Sequence, residues 1–137
     1  MKKFIFLCTV FFFAGLKYGL AQDSLYRLST HILDVTRGIP ASDVRVELFK
    51  FNPETNEWQL QKAEKTAKNG RIANFVSAEG SDNGIYKLRF YTAPYFKSQN
   101  LKSVYPYIEI VFEMTGNGHY HIPLTVSANG YSTYKGN

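Results

Sequence analysis

The sequence predicts an all-β protein: an antiparallel β-sandwich of about eight short strands with one short helix. Three observations lead there. Aromatic residues make up 16% of the chain, with ten Tyr and eleven Phe, and such residues favour the pleated, half-buried surface of a strand. Apolar and polar residues alternate with a period of two in run after run. Turn residues separate these runs at regular spacing, with no internal repeat and no low-complexity linker.

The chain has 137 residues, and its start reads differently from the rest. Lys2 and Lys3 precede an apolar run from Phe4 to Leu16, which leads into Gly19-Leu20-Ala21. A charged start, an apolar stretch and a small-residue end form a secretory signal. The run is shorter than the roughly 20 residues that span a bilayer, and Lys17 interrupts its end. Cleavage is expected after Ala21 or Gln22. Residues 1–21 are then the signal, and residues 22–137 form one domain of about 116 residues, periplasmic or secreted and free of the membrane.

The one cysteine, Cys8, lies in the apolar run and leaves with it. The mature domain is therefore expected to hold no disulfide, no thiol nucleophile and no cysteine-ligated metal. Loss of Lys2, Lys3 and Lys17 leaves 13 basic against 11 acidic residues, so the formal charge of +5 falls to about +2. A nucleic-acid partner would call for a clustered basic stripe, and this balance argues against one.

Each element has its own signature. From Tyr26 to Val35, Leu28, Thr30 and Ile32 share one face, and His31, Leu33 and Val35 the other. Arg37 to Ala41 is a turn. Val44, Val46 and Leu48 alternate with Arg45 and Glu47, as in a half-buried strand. Asn52 to Asn56 turns the chain, and Trp58 and Leu60 mark a third strand reaching Lys65. Asn69-Gly70 predicts a tight hairpin turn, with a short strand from Arg71 through Phe75. After Asn83-Gly84, Ile85, Lys87 and Arg89 oppose Tyr86, Leu88 and Phe90. Ala93 to Leu101 suits a short helix starting at or after Pro94. Tyr107 to Met114 is a strand with Ile108, Ile110 and Phe112 on one face. A final hairpin turns at Ser127 to Gly130 and ends in Tyr131-Ser-Thr-Tyr-Lys-Gly-Asn137.

Candidate chemistry sits on these strands. His119 and His121 are two apart and so share a strand face. They read as exposed or internally satisfied histidines, or as ligands for zinc or copper. No acidic residue lies close in sequence to complete a metal set. His31 points with Leu33, and His121 with Pro123, so the face that a simple sandwich leaves wet is partly apolar here. Such a face suits a covering subunit, and imidazoles on it can have shifted pKa values. Arg71 is either a solvated turn residue or an anion clamp. A Gly-x-Ser-x-Gly elbow, a phosphate loop and a dinucleotide fingerprint are all lacking, which disfavours serine hydrolase and nucleotide chemistry.

Several of these segments resemble one family in the same order. Leu28-Ser-Thr-His-Ile-Leu-Asp-Val-Thr-Arg-Gly-Ile-Pro-Ala41 is similar to the N-terminal signature of the 5-hydroxyisourate hydrolases, transthyretin-like enzymes of urate breakdown. Asn69-Gly-Arg71 is similar to their middle motif and Asn83-Gly-Ile-Tyr-Lys-Leu88 to their central strand. Tyr120-His-Ile-Pro-Leu124 and Gly130-Tyr-Ser-Thr-Tyr-Lys-Gly-Asn137 are similar to their C-terminal signature. The resemblance covers essentially the whole expected domain. It implies the transthyretin-like (prealbumin) fold and metal-free, cofactor-free hydrolysis of 5-hydroxyisourate to 2-oxo-4-hydroxy-4-carboxy-5-ureidoimidazoline. It assigns catalysis to His31, Arg71 and His121, places Tyr134 and Asn137 at the substrate, and implies a homotetramer with sites between dimers. The family's usual ending is Tyr-Arg-Gly-Ser; here Lys135 keeps the charge without the guanidinium fork, and Asn137 replaces the hydroxyl. Transthyretin carriers share the fold but lack this His, Arg and His set. The rival readings are a non-catalytic exported carrier of small ligands on this fold, and a metal-binding module using His31, His119 and His121.

Overall fold

The computed structural model describes residues 26–79 and 83–136. The expected signal over residues 1–21, the domain start at Gln22 and the terminal Asn137 lie outside the described residues. Among the described residues, nine strands and one helix build two packed sheets. In chain order they are β1 (Tyr26–Asp34), β2 (Ile39–Pro40), β3 (Arg45–Asn52), β4 (Glu57–Lys65), β5 (Arg71–Ser77), β6 (Gly84–Phe90), α1 (Thr92–Lys97), β7 (Ile108–Met114), β8 (Tyr120–Ser127) and β9 (Gly130–Thr133). No described helix is long and apolar enough to cross a membrane.

The first sheet is organised around β1. One edge of β1 carries β8, with β9 beyond it; the other edge is shared by β5 and the short β2. The second sheet runs β4-β3-β6-β7. The expected antiparallel sandwich holds at every described strand pair but one: β1 and β8 run parallel. Parallel neighbours need a long crossover, and here the whole second sheet lies between them in sequence.

The period-two pattern explains which side of each strand is inside. Leu28, Thr30 and Ile32 of β1 are fully buried, facing Leu48 and Leu88 of the other sheet in one apolar cluster. Buried Thr30 is tolerated there because its hydroxyl donates to the Ile122 carbonyl at 2.7 Å. On β8, Ile122, Leu124 and Val126 fill the same core. The intervening residues Ser29, His31 and Leu33 of β1, and His121 of β8, are half-buried on the outer face.

Four local expectations are corrected. Asn69-Gly70 does not close a hairpin between paired strands, because β4 belongs to the second sheet and β5 to the first. It is a crossing turn. Gly70 has φ +73°, its carbonyl accepts the Ile32 N–H at 2.9 Å, and Asn69 Oδ1 accepts the Arg71 N–H at 3.1 Å. The helix starts at Thr92, two residues before Pro94. Pro94 is harmless in the first turn, where N–H groups have no intrahelical acceptor. Ile39–Pro40, inside the expected turn, pairs with β1. Finally, the outer face of the second sheet is not simply wet. Glu47 and Lys87 are buried there, Glu47 by Arg45 and the Tyr91 hydroxyl. Lys87 sits 3.1 Å from Glu109 and 4.6 Å over the Trp58 ring.

The end of β1 is pinned by Asp34, which is fully buried. Its carboxylate accepts the Thr36 and Arg37 amides at 3.0 and 3.2 Å and the Tyr95 hydroxyl of α1 at 3.0 Å. This holds the helix against the strand that carries His31.

Core position sets the expected cost of truncation. Leu88→Ala, at a fully buried site, should lower stability by about 2–5 kcal/mol, whereas Leu60→Ala, at a site 54% exposed, should stay within about 0.5 kcal/mol. Urea unfolding midpoints of the two variants check this; equal shifts would mean the packing is misassigned.

Candidate active site

Strand register brings three distant segments together. His31 of β1 and Arg71 at the start of β5 are direct cross-strand partners. On the other side of β1, the parallel ladder pairs Ser29 with His121 and His31 with Pro123. His31 and His121 are therefore diagonal neighbours on one outer face, about 7–8 Å apart by sheet geometry. The segment after β9 closes the far side: the Gly136 N–H donates to the His121 carbonyl at 2.8 Å. Between that pair and the Leu124–Thr133 pair, Tyr134 falls opposite Pro123. Its side chain is 61% exposed. Of the residues expected at the site, His31, Arg71, His121 and Tyr134 thus share one face of one sheet.

Each imidazole is backed by a glycine. A Cβ on Gly70 would lie 2.6 Å from the Ile32 oxygen and 3.2 Å from His31 Cδ2. A Cβ on Gly136 would lie 2.7 Å from His121 Cδ2. Side chains cannot occupy either place without moving backbone or ring, so the two glycines let the chain approach the histidines closely.

The electrostatics favour neutral rings. Burial is the largest cause lowering the His31 pKa below its usual 6.5, and the nearby Arg71 guanidinium is the second; a backbone hydrogen bond at Asn69 opposes them. Burial likewise leads for His121, followed by the positive charge of Arg71 and then by His31 and His119, with a backbone hydrogen bond at Ser29 opposing. Uncharged imidazoles beside a permanent cation can accept a proton from water while the cation steadies a developing oxyanion. Among the described residues no group of three or more His, Cys, Asp or Glu is placed to hold a metal ion.

Two residues outside the expected set complete the arrangement. Ser29 Oγ lies 2.8 Å from His121 Nδ1 and 2.9 Å from His119 Nε2. His119 Nδ1 is 2.8 Å from the Tyr26 carbonyl oxygen. Both His119 nitrogens are thus engaged in hydrogen bonds, which speaks against its use as a metal ligand. Parity along each strand could have grouped Ser29 with His31 and His119 with His121. The pairing of the two strands is what joins the groups, and periodicity carries no sign of it. Lys135 points elsewhere: its ammonium sits 4.5 Å over the ring of the buried Tyr120, on the core side of β8. The Lys135 ammonium is thus turned away from the imidazoles.

Comparison with known proteins agrees with this fold. Residues 28–136 match the model of the HIUase/Transthyretin family. A probable 5-hydroxyisourate hydrolase of Schizosaccharomyces pombe is 41% identical over 111 residues, covering 80% of this chain and 90% of that protein. The 5-hydroxyisourate hydrolase of Klebsiella pneumoniae superposes with a TM-score of 0.70 at 34% identity, over 80% of this chain and 98% of its own. The transthyretin of Sparus aurata superposes with a TM-score of 0.75 at 27% identity, over 80% and 95%. With the matched region spanning both sheets and the whole imidazole face, the chain belongs to the HIUase/Transthyretin family.

Proposed function

We propose that this protein hydrolyses 5-hydroxyisourate, opening one lactam ring by addition of water, with His31, Arg71 and His121 as its catalytic groups. The observation that carries this reading is the convergence of two imidazoles and one guanidinium, 90 residues apart at the extremes, on a single sheet face. Hydrolase relatives at 34% and 41% identity support it. The backbone fits a carrier equally well, as the transthyretin superposition makes plain, so the side chains decide.

The chemistry follows from the groups. A water molecule attacks the lactam carbonyl, one imidazole takes its proton, and the C–O bond forms. The oxyanion and the ring carbonyls face Arg71, whose fork matches paired oxygens. Collapse breaks the C–N bond, and the proton returns to the leaving nitrogen. Tyr134 and Asn137 bind the flat ring and orient it. The outer face around Leu33 and Pro123 is the surface on which copies of the chain meet, so the working form is a homotetramer with each site at a dimer–dimer junction. The N-terminal segment directs export to the periplasm or beyond.

The direct test is hydrolysis of freshly generated 5-hydroxyisourate, with spontaneous decay subtracted. His31→Ala and His121→Ala should each lower kcat by about 10²–10⁴-fold while the assembly persists on gel filtration. Full activity in either variant removes that histidine from the site. Absence of turnover by the wild type, with the heterocycle still bound, would make the protein a carrier.

The pH profile is a separate check. Both histidine pKa values lie below 6.5, so the rings are neutral at pH 7 and above, and kcat/KM should hold down to about pH 6.5 before falling as they take up protons. Stability follows the same sign. The unfolded chain's histidines protonate first as pH drops, so their contribution is present above 6.5 and disappears as pH falls through the folded values. Arg71→Met removes a charge that opposes protonation, and its acid limb should move to higher pH. An unmoved limb in that variant would separate Arg71 electrostatically from the imidazoles.

A further inference from the structure

The hydrogen bonds around Ser29 constrain one another, because a hydroxyl has a single proton to give. The Tyr26 carbonyl can only accept, so His119 carries its proton on Nδ1 at 2.8 Å. A neutral His119 then has an unshared pair on Nε2, and the Ser29 hydroxyl donates to it at 2.9 Å. Having spent its proton there, Ser29 Oγ is an acceptor toward His121 at 2.8 Å, and His121 must donate from Nδ1. The neutral His121 ring is thereby left without a proton on Nε2. Among the described residues no hydrogen-bond partner occupies that nitrogen.

We infer that Ser29 and His119 are positioning residues that hold His121 in its Nδ1–H tautomer, which makes Nε2 of His121 the atom that takes the proton from water. This rests on the catalytic assignment proposed above and goes one step further, since it chooses between the two histidines. The ordering starts at a backbone carbonyl, which cannot change its role, and runs through two side chains to the reacting ring. The Gly136 backbone flanks the same ring, at a distance that admits no Cβ, so neighbours of the ring set both its plane and its tautomer. His31 has no comparable chain: its ring meets the backbone at Asn69 and the Arg71 charge. Around His121 the facing charged or titratable groups are Arg71, His31 and His119.

The arrangement also says what breaks it. In Ser29→Ala the hydroxyl acceptor at Nδ1 is lost and only the backbone of residue 29 remains beside the ring, so the balance shifts toward the Nε2–H form, which cannot take a proton at Nε2. In His119→Phe the Ser29 proton is no longer claimed, so the hydroxyl is free to donate to His121 Nδ1 and place the proton on Nε2. The two variants act by opposite means and give the same wrong tautomer. A purely structural role would not do this.

The test is nitrogen-15 NMR of the histidine rings in the full assembled protein at pH 8, without substrate, alongside steady-state kinetics. In the wild type, His121 should show a protonated Nδ1 and a bare Nε2. Ser29→Ala and His119→Phe should both shift His121 toward the Nε2–H form and lower kcat by roughly 10- to 10³-fold with KM nearly unchanged, the signature of a misplaced proton. Ser29→Thr, which keeps the hydroxyl, should restore the wild-type tautomer and most of kcat. A wild-type His121 carrying its proton on Nε2 would overturn the inference, as would Ser29→Ala with an unchanged tautomer and kcat. Because the NMR measurement needs no turnover, it separates failure of this inference from failure of the catalytic reading, which shows as an active His121→Ala enzyme.

Discussion

Seven register pairs join β1 to β8, from Leu28–Tyr120 to Asp34–Val126, and both strands point the same way. That alignment ties the first described strand to the end of the chain across about ninety residues. A slip of one residue would turn Ile122 and Leu124 out of the core and drive His121 into it. The register is held from inside, by Leu28, Ile32, Leu124 and Val126 and by the Thr30 hydroxyl on the Ile122 carbonyl. Apolar burial on one side of the strands therefore fixes the chemistry on the other. Ser29 reaches His121 only because Leu28 and Thr30 are where they must be.

The face so produced has an unusual charge balance. Arg71 stands beside two imidazoles, and no described carboxylate hydrogen-bonds or pairs with any of the three. A carboxylate there would raise the histidine pKa values and make cations of the rings. Its place is taken by neutral partners: the Ser29 hydroxyl, the Tyr26 carbonyl and the backbone at Asn69. The acidic residues are used elsewhere. Asp34 pins β1 to α1, while Glu47 and Glu109 hold the cations over the second sheet. The molecule thus keeps its structural ion pairs apart from the face where proton transfer needs uncharged bases.

Close backbone approach is the other recurring device. Gly70 lies near the middle of the domain sequence and Gly136 near its end, yet each backs one imidazole. Gly70 also hands its carbonyl to Ile32, so one crossing turn positions Arg71 and supports His31 at once. Hydrolase and transthyretin relatives superpose on the same scaffold, which shows how little of the sandwich itself is committed to chemistry.

Much of this was legible in the residues. Alternation named the strands and their inner faces, because a period of two is a local property of a chain with one buried side. His31, Arg71 and His121 could be singled out by residue type and by the motifs around them. Other features were not legible, because they depend on which strands become neighbours. The parallel pairing of β1 with β8, the crossing role of Asn69-Gly70 and the burial of Glu47 and Lys87 are all set by contacts between distant segments. The same holds for Ser29 and His119. Their side chains carry no mark of a proton-ordering task until tertiary structure sets a hydroxyl between two rings and a carbonyl behind one of them.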